Sequence, residues 1–258
     1  MNTESRQTVT PSRRSAPRLA AARLALADVE AVALDAYGTL INFTDSDFIV
    51  TMAEICDRQG LQADAADMWH RFLRAAYLMR AENHHQPVFK HYGTAWADQF
   101  QRVFRRLHLD GDPWAASHYL NVKLSAAPAF EEAYAVIDAL RPHYRLAVLS
   151  NSDDDFLTAC LRRNGLHFDT VVTSEQARAL KPDPAIFLHL ARQMDLPPER
   201  ILYAGDNPVP DVLGPRQAGL KAAWINRSGR RRPRRVPPPD LRLRSLSEML
   251  PFLERRHD

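Results

Sequence analysis

The chain has 258 residues, of which 45% are hydrophobic and 25% are charged, and its formal net charge at pH 7 is +3. It lacks the roughly 18–20 consecutive apolar residues that a membrane span needs, and its N-terminus lacks the apolar segment of a secretory signal. We therefore expect a cytoplasmic protein without membrane contacts, whose two cysteines, Cys56 and Cys160, are reduced and buried.

Positive charge is concentrated at the two ends of the chain. Residues 1–27 contain five arginines and one acid, and residues 230–258 contain nine arginines and four acids. We predict that residues 1–27 form a disordered tail, although an Arg-rich, acid-poor start also suits an organelle transit peptide. Residues 230–239, rich in arginine and proline, are predicted to form a solvated basic loop. Without interleaved aromatic residues, this loop does not predict a nucleic-acid partner.

The first regular elements are a short buried strand and then a run of helices. The apolar run Val32-Ala33-Leu34 is typical of a parallel strand covered on both faces. Apolar and aromatic residues then recur at spacings of three and four, in stripes that begin at Phe48, Trp69 and Trp96. Such stripes are typical of helix-packing faces, so residues 44–126 are predicted to form a small helical bundle.

Strands and helices alternate in the remainder of the chain. This alternation predicts an α/β fold with a parallel sheet and right-handed crossovers. The predicted strands are residues 146–149, 170–172, 201–204 and 222–225, and the predicted helices include residues 130–140, 154–164 and 184–194.

Polar clusters follow several of these strands or lie in nearby loops. Because parallel strands end at one edge of a sheet, we expect the clusters to converge there. Carboxylates with a lysine and a serine suit phosphoryl chemistry, and carboxylate oxygens suit Mg²⁺. The clusters contain Asp35, Ser150, Asn151, Lys181, Asp206 and Asp211.

Four of these segments together resemble the motifs of the haloacid dehalogenase superfamily, in order and spacing. They are Asp35-Ala36-Tyr37-Gly38-Thr39-Leu40, Ser150-Asn151, Lys181-Pro182-Asp183-Pro184, and Gly205-Asp206 with Asp211. The resemblance implies a Rossmann-like parallel sheet core with an inserted helical cap. The core would comprise residues 28–43 and 127–258, and the cap residues 44–126.

The resemblance also implies a role for each matching residue. Asp35 would be the nucleophile, Lys181 would hold it, and Ser150 and Asn151 would bind the transferring group. Asp35, Asp206, Asp211 and the main-chain carbonyl of Tyr37 would hold Mg²⁺. Tyr37 is also expected to contact the substrate.

Two departures from the family pattern point in opposite directions. Phosphatases of the family usually carry a second aspartate, a general acid and base, where this chain has Tyr37. In that respect the chain is similar to the 2-haloacid dehalogenases, which displace halide without a metal. Those dehalogenases, however, carry serine and asparagine where this chain has Asp206 and Pro208.

A dehalogenase also uses a cap arginine next to a tryptophan, whereas Trp69 is followed by His70, with Arg71 one place later. A second carboxylate would repel an anionic 2-halo acid, but a phosphatase needs it for Mg²⁺. The sequence therefore favours a Mg²⁺-dependent hydrolase that acts on a small phosphorylated metabolite through an aspartyl-phosphate. The alternatives are a metal-free 2-haloacid dehalogenase-type hydrolase and a catalytically weak binding or regulatory member.

Overall fold

A computed structural model describes residues 23–82 and 89–253, and its core is a six-stranded parallel sheet. The strand order is β3-β2-β1-β4-β5-β6, with β1 in the middle. The predicted α/β class with a parallel sheet is confirmed. The strands are β1 Ala31–Leu34, β2 Arg145–Ser150, β3 Thr170–Thr173, β4 Ile201–Gly205, β5 Lys221–Ile225 and β6 Leu241–Leu243.

The helices fall into two groups along the chain. The first group, α1 to α4, lies between β1 and β2, and forms the cap: α1 Asp45–Gln59, α2 Ala65–Glu82, α3 Tyr92–Leu107 and α4 Pro113–Ser125. The second group belongs to the core: α5 Glu131–Leu140, α6 Asp154–Arg163, α7 Ser174–Ala177, α8 Pro184–Gln193, α9 Gly214–Gln217 and α10 Leu250–Leu253.

Local sequence signals account for where several cap and core helices begin and end. Asp112 and Asp183 accept hydrogen bonds from main-chain N–H groups in the first turns of α4 and α8, and each precedes a proline. α1 ends at Gly60, which adopts the left-handed conformation common after helices. Inside the cap, the rings of Phe48 and Trp69 stack with centroids 4.2 Å apart. The aromatic stripes are thus packing faces, as predicted.

The N-terminal boundary of the core lies earlier than predicted. Residues 1–22, most of the predicted tail, lie outside the described residues. Residues 23–28 form a helical turn, and Leu26 is buried in the main hydrophobic core. A buried leucine anchors this turn, so the prediction of a tail through residue 27 is wrong at its last few positions.

The basic segment after β5 is only partly the solvated loop that its composition predicts. Arg231, Arg234 and Arg235 are exposed, but Val236 is buried in a cluster with Trp224. The segment then continues into β6, which the sequence analysis did not predict. Burial of one apolar residue holds the loop against the sheet despite its charge.

Both cysteines are free and buried, as predicted. Among the described residues, no helix is long and apolar enough to cross a membrane.

Candidate active site

Asp35 and Lys181 form the centre of the site at the carboxyl edge of the sheet. Asp35 directly follows β1, and its main-chain N–H donates to Ala204 of β4 at 2.8 Å. Lys181 Nζ donates to Asp35 Oδ1 at 2.6 Å, to Asp211 Oδ1 at 2.7 Å and to the Tyr203 hydroxyl at 2.7 Å. An ammonium group has three protons, so each is used.

Asp211 is held on both sides of its carboxylate. Its Oδ1 accepts from Lys181, and its Oδ2 accepts from the Asn207 main-chain N–H at 2.9 Å. It lies in a π-helical turn, Val209–Leu213, which follows β4 after a connection of three residues. A Cβ on Gly205 would lie 2.4 Å from Asp211 Cγ, so only glycine admits this approach.

Asp206 approaches the turn after β1 from the neighbouring strand. Gly38 has a φ of +87°, and a Cβ there would lie 2.9 Å from Asp206 Cγ. The Asp206 main-chain carbonyl accepts from Trp224 Nε1 at 2.9 Å, which anchors the loop to β5. Glycine at position 38 thus provides both the left-handed turn and the space for a second carboxylate.

The three acids leave this site with more negative than positive charge. One carboxylate oxygen from each of Asp35, Asp206 and Asp211 lies within 4.8 Å of the others. Burial raises the pKa of Asp35 to about 6, although Lys181 acts in the opposite direction. Burial, with Asp211 and Asp35 nearby, raises the pKa of Asp206 to about 7.

Lys181 is itself a buried cation. Burial alone would lower its pKa, but Asp211 and Asp35 raise that pKa well above the ordinary lysine value. Lys181 therefore stays charged and compensates one carboxylate of the three, while the exposed Arg230, 3.9 Å from Asp206, compensates the others only weakly. A divalent cation fits the remaining charge, and the oxygen donors are of the type that Mg²⁺ prefers.

A cleft of about 570 Å³ opens above these residues between the core and the cap. Its apolar lining consists of Phe48, Trp69 and Leu73 from the cap and Phe43 from the end of the first core segment, and the polar residues Thr44, Asp45 and Ser46 lie beside them. The cations among the described residues that line it are Lys181, Arg227 and Arg230, all from the core. The cleft therefore combines a partly apolar cap side with a charged floor.

Arg230 stands at the cleft mouth because Asn226 holds its main chain. The Asn226 side chain accepts from the Arg230 N–H and donates to the Arg230 carbonyl, each at 2.9 Å. The Arg230 guanidinium lies 3.9 Å from Asp206 Oδ2, and its side chain is 59% exposed. Arg227 is committed elsewhere, since it pairs with Glu132 and donates to the Thr39 carbonyl.

Comparisons with known proteins agree with this arrangement. The model of the haloacid dehalogenase-like hydrolase family matches residues 29–219. The chain belongs to the haloacid dehalogenase-like hydrolase family.

Its relatives catalyse more than one reaction. The chain is 28% identical to haloacetate dehalogenase H-2 of Moraxella sp. over 207 residues, covering 78% of this chain and 87% of that protein. It is 35% identical to the phosphoserine phosphatase of Thermus thermophilus over 165 residues, covering 60% of this chain and 66% of that protein.

The fold also matches solved members of the family. A crystal structure of a dehalogenase with an intermediate complex has a TM-score of 0.74 at 22% identity, covering 89% of this chain and 99% of that chain. The family membership that the motifs predicted is confirmed, and so is hydrolase as the class of enzyme. Phosphatase and dehalogenase relatives both occur, so the comparisons leave the reaction open.

The structure brings the predicted site residues of this hydrolase together around the cleft, Tyr37 and Asn151 included. Asp35, Ser150, Lys181, Asp206 and Asp211 all line the cleft. Ser150, the last residue of β2, is 2% exposed.

Asn151 has a different principal contact from the predicted one. Its side chain accepts from the Lys181 main-chain N–H at 2.7 Å and donates to the Lys181 carbonyl at 3.2 Å. The amide therefore positions the loop that carries the lysine, rather than facing only the substrate. Asp211 likewise serves first as the counterion of Lys181, although its carboxylate also lies within reach of a metal.

The side chain of Tyr37 points toward the cap. Its hydroxyl donates to the Leu124 carbonyl at 3.3 Å, and its ring lies 6.0 Å from that of Phe156. Burial raises the pKa of Tyr37 further above its ordinary value of 10.0. Tyr37 is therefore not available as a proton acceptor near neutral pH.

The two cap residues that follow Trp69, His70 and Arg71, do not line the cleft. Arg71 pairs with Asp67 one turn earlier at 2.7 Å, and His70 and Arg74 are exposed on α2. Sequence reasoning missed Arg230 and Asn226, although Asn226 directly follows β5, where a polar residue at a strand end is the signal used for the other strands.

Proposed function

We propose that this hydrolase is a Mg²⁺-dependent phosphatase that acts on a small phosphorylated metabolite through an aspartyl-phosphate at Asp35. The observation that carries the proposal is the carboxylate of Asp206 beside Asp35 and Asp211, with one buried lysine for the three acids. Two such charges 4.8 Å apart repel by about 3–4 kcal/mol at an effective dielectric constant of roughly 20. A divalent cation offsets this repulsion.

The contacts of Asp35 support its role as the nucleophile. Lys181 holds Oδ1, while Oδ2 lies 3.4 Å from the Thr39 hydroxyl. We propose that Oδ2 attacks phosphorus and that the phosphorus–oxygen bond to the leaving group breaks, so that an alkoxide or phenolate departs and takes its proton from water. Lys181 keeps the attacking carboxylate oriented. Mg²⁺, held by Asp35, Asp206 and the main-chain carbonyl of Tyr37, would neutralise charge on the transferring oxygens.

Tyr37 affects the second step of the proposed reaction, the hydrolysis of the aspartyl-phosphate. Water must attack the phosphorus of the aspartyl-phosphate, which releases phosphate and regenerates the Asp35 carboxylate. The residue expected to activate that water in a phosphatase is here a partly buried tyrosine whose hydroxyl donates to the Leu124 carbonyl. We therefore expect breakdown of the intermediate to be slow, and an initial burst of alcohol release to precede steady turnover.

The cleft lining supports a class of substrate. Phe48 and Trp69 offer an apolar face opposite Asp35, and Arg230 offers a second cation beside Asp206. A phosphate ester with an apolar or aromatic group and a second anionic group would use all three features.

The proposal is tested by hydrolysis of p-nitrophenyl phosphate with Mg²⁺ and with a chelator. We expect activity with Mg²⁺, loss with chelator, and loss in both Asp35→Asn and Asp206→Asn. Activity that persists in chelator, or that Asp206→Asn leaves intact, contradicts the proposal. His118→Ala, an exposed cap substitution, is the matched control.

A second candidate is a metal-free 2-haloacid dehalogenase, and the observation that favours it is Tyr37 in place of a second aspartate. Against it, the described cap residues place no arginine in the cleft, and Asp206 adds negative charge. Halide release from 2-chloropropionate in chelator, measured beside the phosphatase assay, separates the two reactions. If neither activity appears, the remaining alternative is a binding or regulatory member of the family.

A further inference from the structure

A second group of metal-ligating side chains lies where the cap meets the core. His91 directly precedes α3 of the cap, Asp153 directly precedes α6 of the core, and Glu175 lies in α7. One ligand atom from each lies within 4.8 Å of the other two. The three residues come from separate segments, so the fold alone brings them together.

The separations between these atoms fit ligands better than hydrogen bonds. His91 Nδ1 lies 3.4 Å from Glu175 Oε1 and 3.9 Å from Asp153 Oδ1. An N–H···O hydrogen bond usually spans about 2.7–3.2 Å. Ligands at about 2.0–2.1 Å from a tetrahedral Zn²⁺ are about 3.3–3.4 Å from each other. The three atoms thus surround a space that an ion could occupy with small side-chain adjustments.

The buried side chain of Asp153 gives a second, independent reason to place a cation here. Its side chain is 9% exposed, and its Oδ1 has no hydrogen-bond partner among the described residues. Its Oδ2 is held by the Gly93 main-chain N–H at 3.2 Å. A buried carboxylate oxygen without a partner is costly, and a cation directly in front of it would offset that cost.

The two carboxylate oxygens of Glu175 also have separate contacts. Its Oε2 accepts from the Asp154 main-chain N–H at 2.8 Å, which leaves Oε1 facing His91. In both acids, one oxygen is fixed by the backbone and the other points to the centre of the group. Outer hydrogen bonds of this kind orient metal ligands in proteins.

We propose that His91, Asp153 and Glu175 form a Zn²⁺ site that joins the cap to the core, separate from the Mg²⁺ site. An imidazole nitrogen with two carboxylate oxygens suits zinc better than magnesium. A depression of about 720 Å³ beside the three residues leaves room for water as a further ligand. Because Tyr92, next to His91, lines the active-site cleft, the bound ion would also hold that part of the cleft wall in place.

The site is tested on the full-length protein, stripped with a chelator and titrated with Zn²⁺ against a chromophoric competitor in excess Mg²⁺. We expect one zinc per chain in the wild type. His91→Ala and Glu175→Gln should each weaken binding about tenfold or more, since loss of an outer hydrogen-bond partner alone costs about 10–100-fold in metal affinity. His118→Ala should bind zinc as the wild type does. Circular dichroism verifies that each variant is folded, and Asp153 is left unchanged because it also caps α3.

Two outcomes would overturn the proposal. One is zinc binding that survives both His91→Ala and Glu175→Gln. The other is zinc binding that disappears in Asp206→Asn, because the ion would then occupy the active site. Co²⁺ substitution supplies a second measurement, since the visible spectrum of a four-coordinate ion should be lost in His91→Ala and retained in Asp206→Asn. This test does not depend on the enzymatic activity, so failure of the proposed phosphatase reaction leaves it intact.

Discussion

Gly38→Ala tests whether the close approach of Asp206 to the turn after β1 is needed for metal binding. Gly38 has a φ of +87°, and an added Cβ would lie 2.9 Å from Asp206 Cγ and 3.0 Å from each carboxylate oxygen. Non-bonded carbon atoms are most stable at about 3.5–4.0 Å. The carboxylate must therefore move by roughly half an ångström or more, or the turn must distort.

Two effects of this substitution can be separated. The left-handed backbone costs a non-glycine residue about 1–2 kcal/mol of stability. Displacement of Asp206 adds a functional loss, because an error of about 1 Å at a reacting centre can cost about 10²-fold in rate. For about half that displacement we expect Mg²⁺ affinity and kcat/KM each to fall about tenfold.

Gly60→Ala is the matched control for the backbone effect. Gly60 also has a left-handed φ, +67°, but an added Cβ would meet no atom within 4 Å. Urea unfolding should show a similar loss of stability in both variants, whereas calorimetric titration should show weaker Mg²⁺ binding only in Gly38→Ala. Wild-type Mg²⁺ affinity in Gly38→Ala would refute the reasoning that the glycine exists to admit Asp206.

Three further predictions concern the charges of the site. Lys181→Met leaves two buried carboxylates unpaired and should reduce the free energy of unfolding by about 3–5 kcal/mol in urea titrations; a loss below about 1 kcal/mol would contradict the buried ion pairs. In metal-free protein, the pKa values of Asp35 and Asp206, about 6 and about 7, exceed the unfolded value of 3.8. The folded state then retains protons that the unfolded chain has released, so the melting temperature should fall as the pH rises from about 4 to about 7. Mg²⁺ should raise the melting temperature more at pH 8 than at pH 5. A melting temperature that does not change with pH in the metal-free protein would contradict the raised pKa values of Asp35 and Asp206. Arg230→Ala should raise KM about tenfold for a phosphate ester with a second anionic group, by loss of one charge-assisted contact, while the exposed Arg231→Ala should not; equal effects would exclude a specific role for the first arginine.

The features that could be predicted from the sequence follow from periodicity and from the geometry of parallel sheets. Apolar runs of three or four residues marked β1, β2, β4 and β5, and helical spacing marked the cap. Because parallel strands end at one edge, Asp35, Lys181 and Asp206 were expected to meet, although they are far apart in the chain. The structure brings them together for that reason.

Other features depend on contacts that spacing does not encode. Asn151 follows a strand like a substrate-binding residue, but its amide is engaged by the main chain of Lys181. β6 has three residues and follows an arginine- and proline-rich stretch, so its apolar content was too small to detect. Arg230 reaches the cleft because Asn226 fixes its main chain, a contact that only the folded loop contains.

The central position of β1 has a consequence for how the chain folds. β1 is made first, but both of its neighbours, β2 and β4, follow the entire cap in the chain. During synthesis, β1 therefore stays unpaired while the four cap helices are made. These helices depend on local contacts and can form early. The sheet then closes by contacts that are distant in the chain, which is the slow and aggregation-exposed step. Asp35 and Lys181 meet only after that closure, so catalytic competence would report on the last stage of folding.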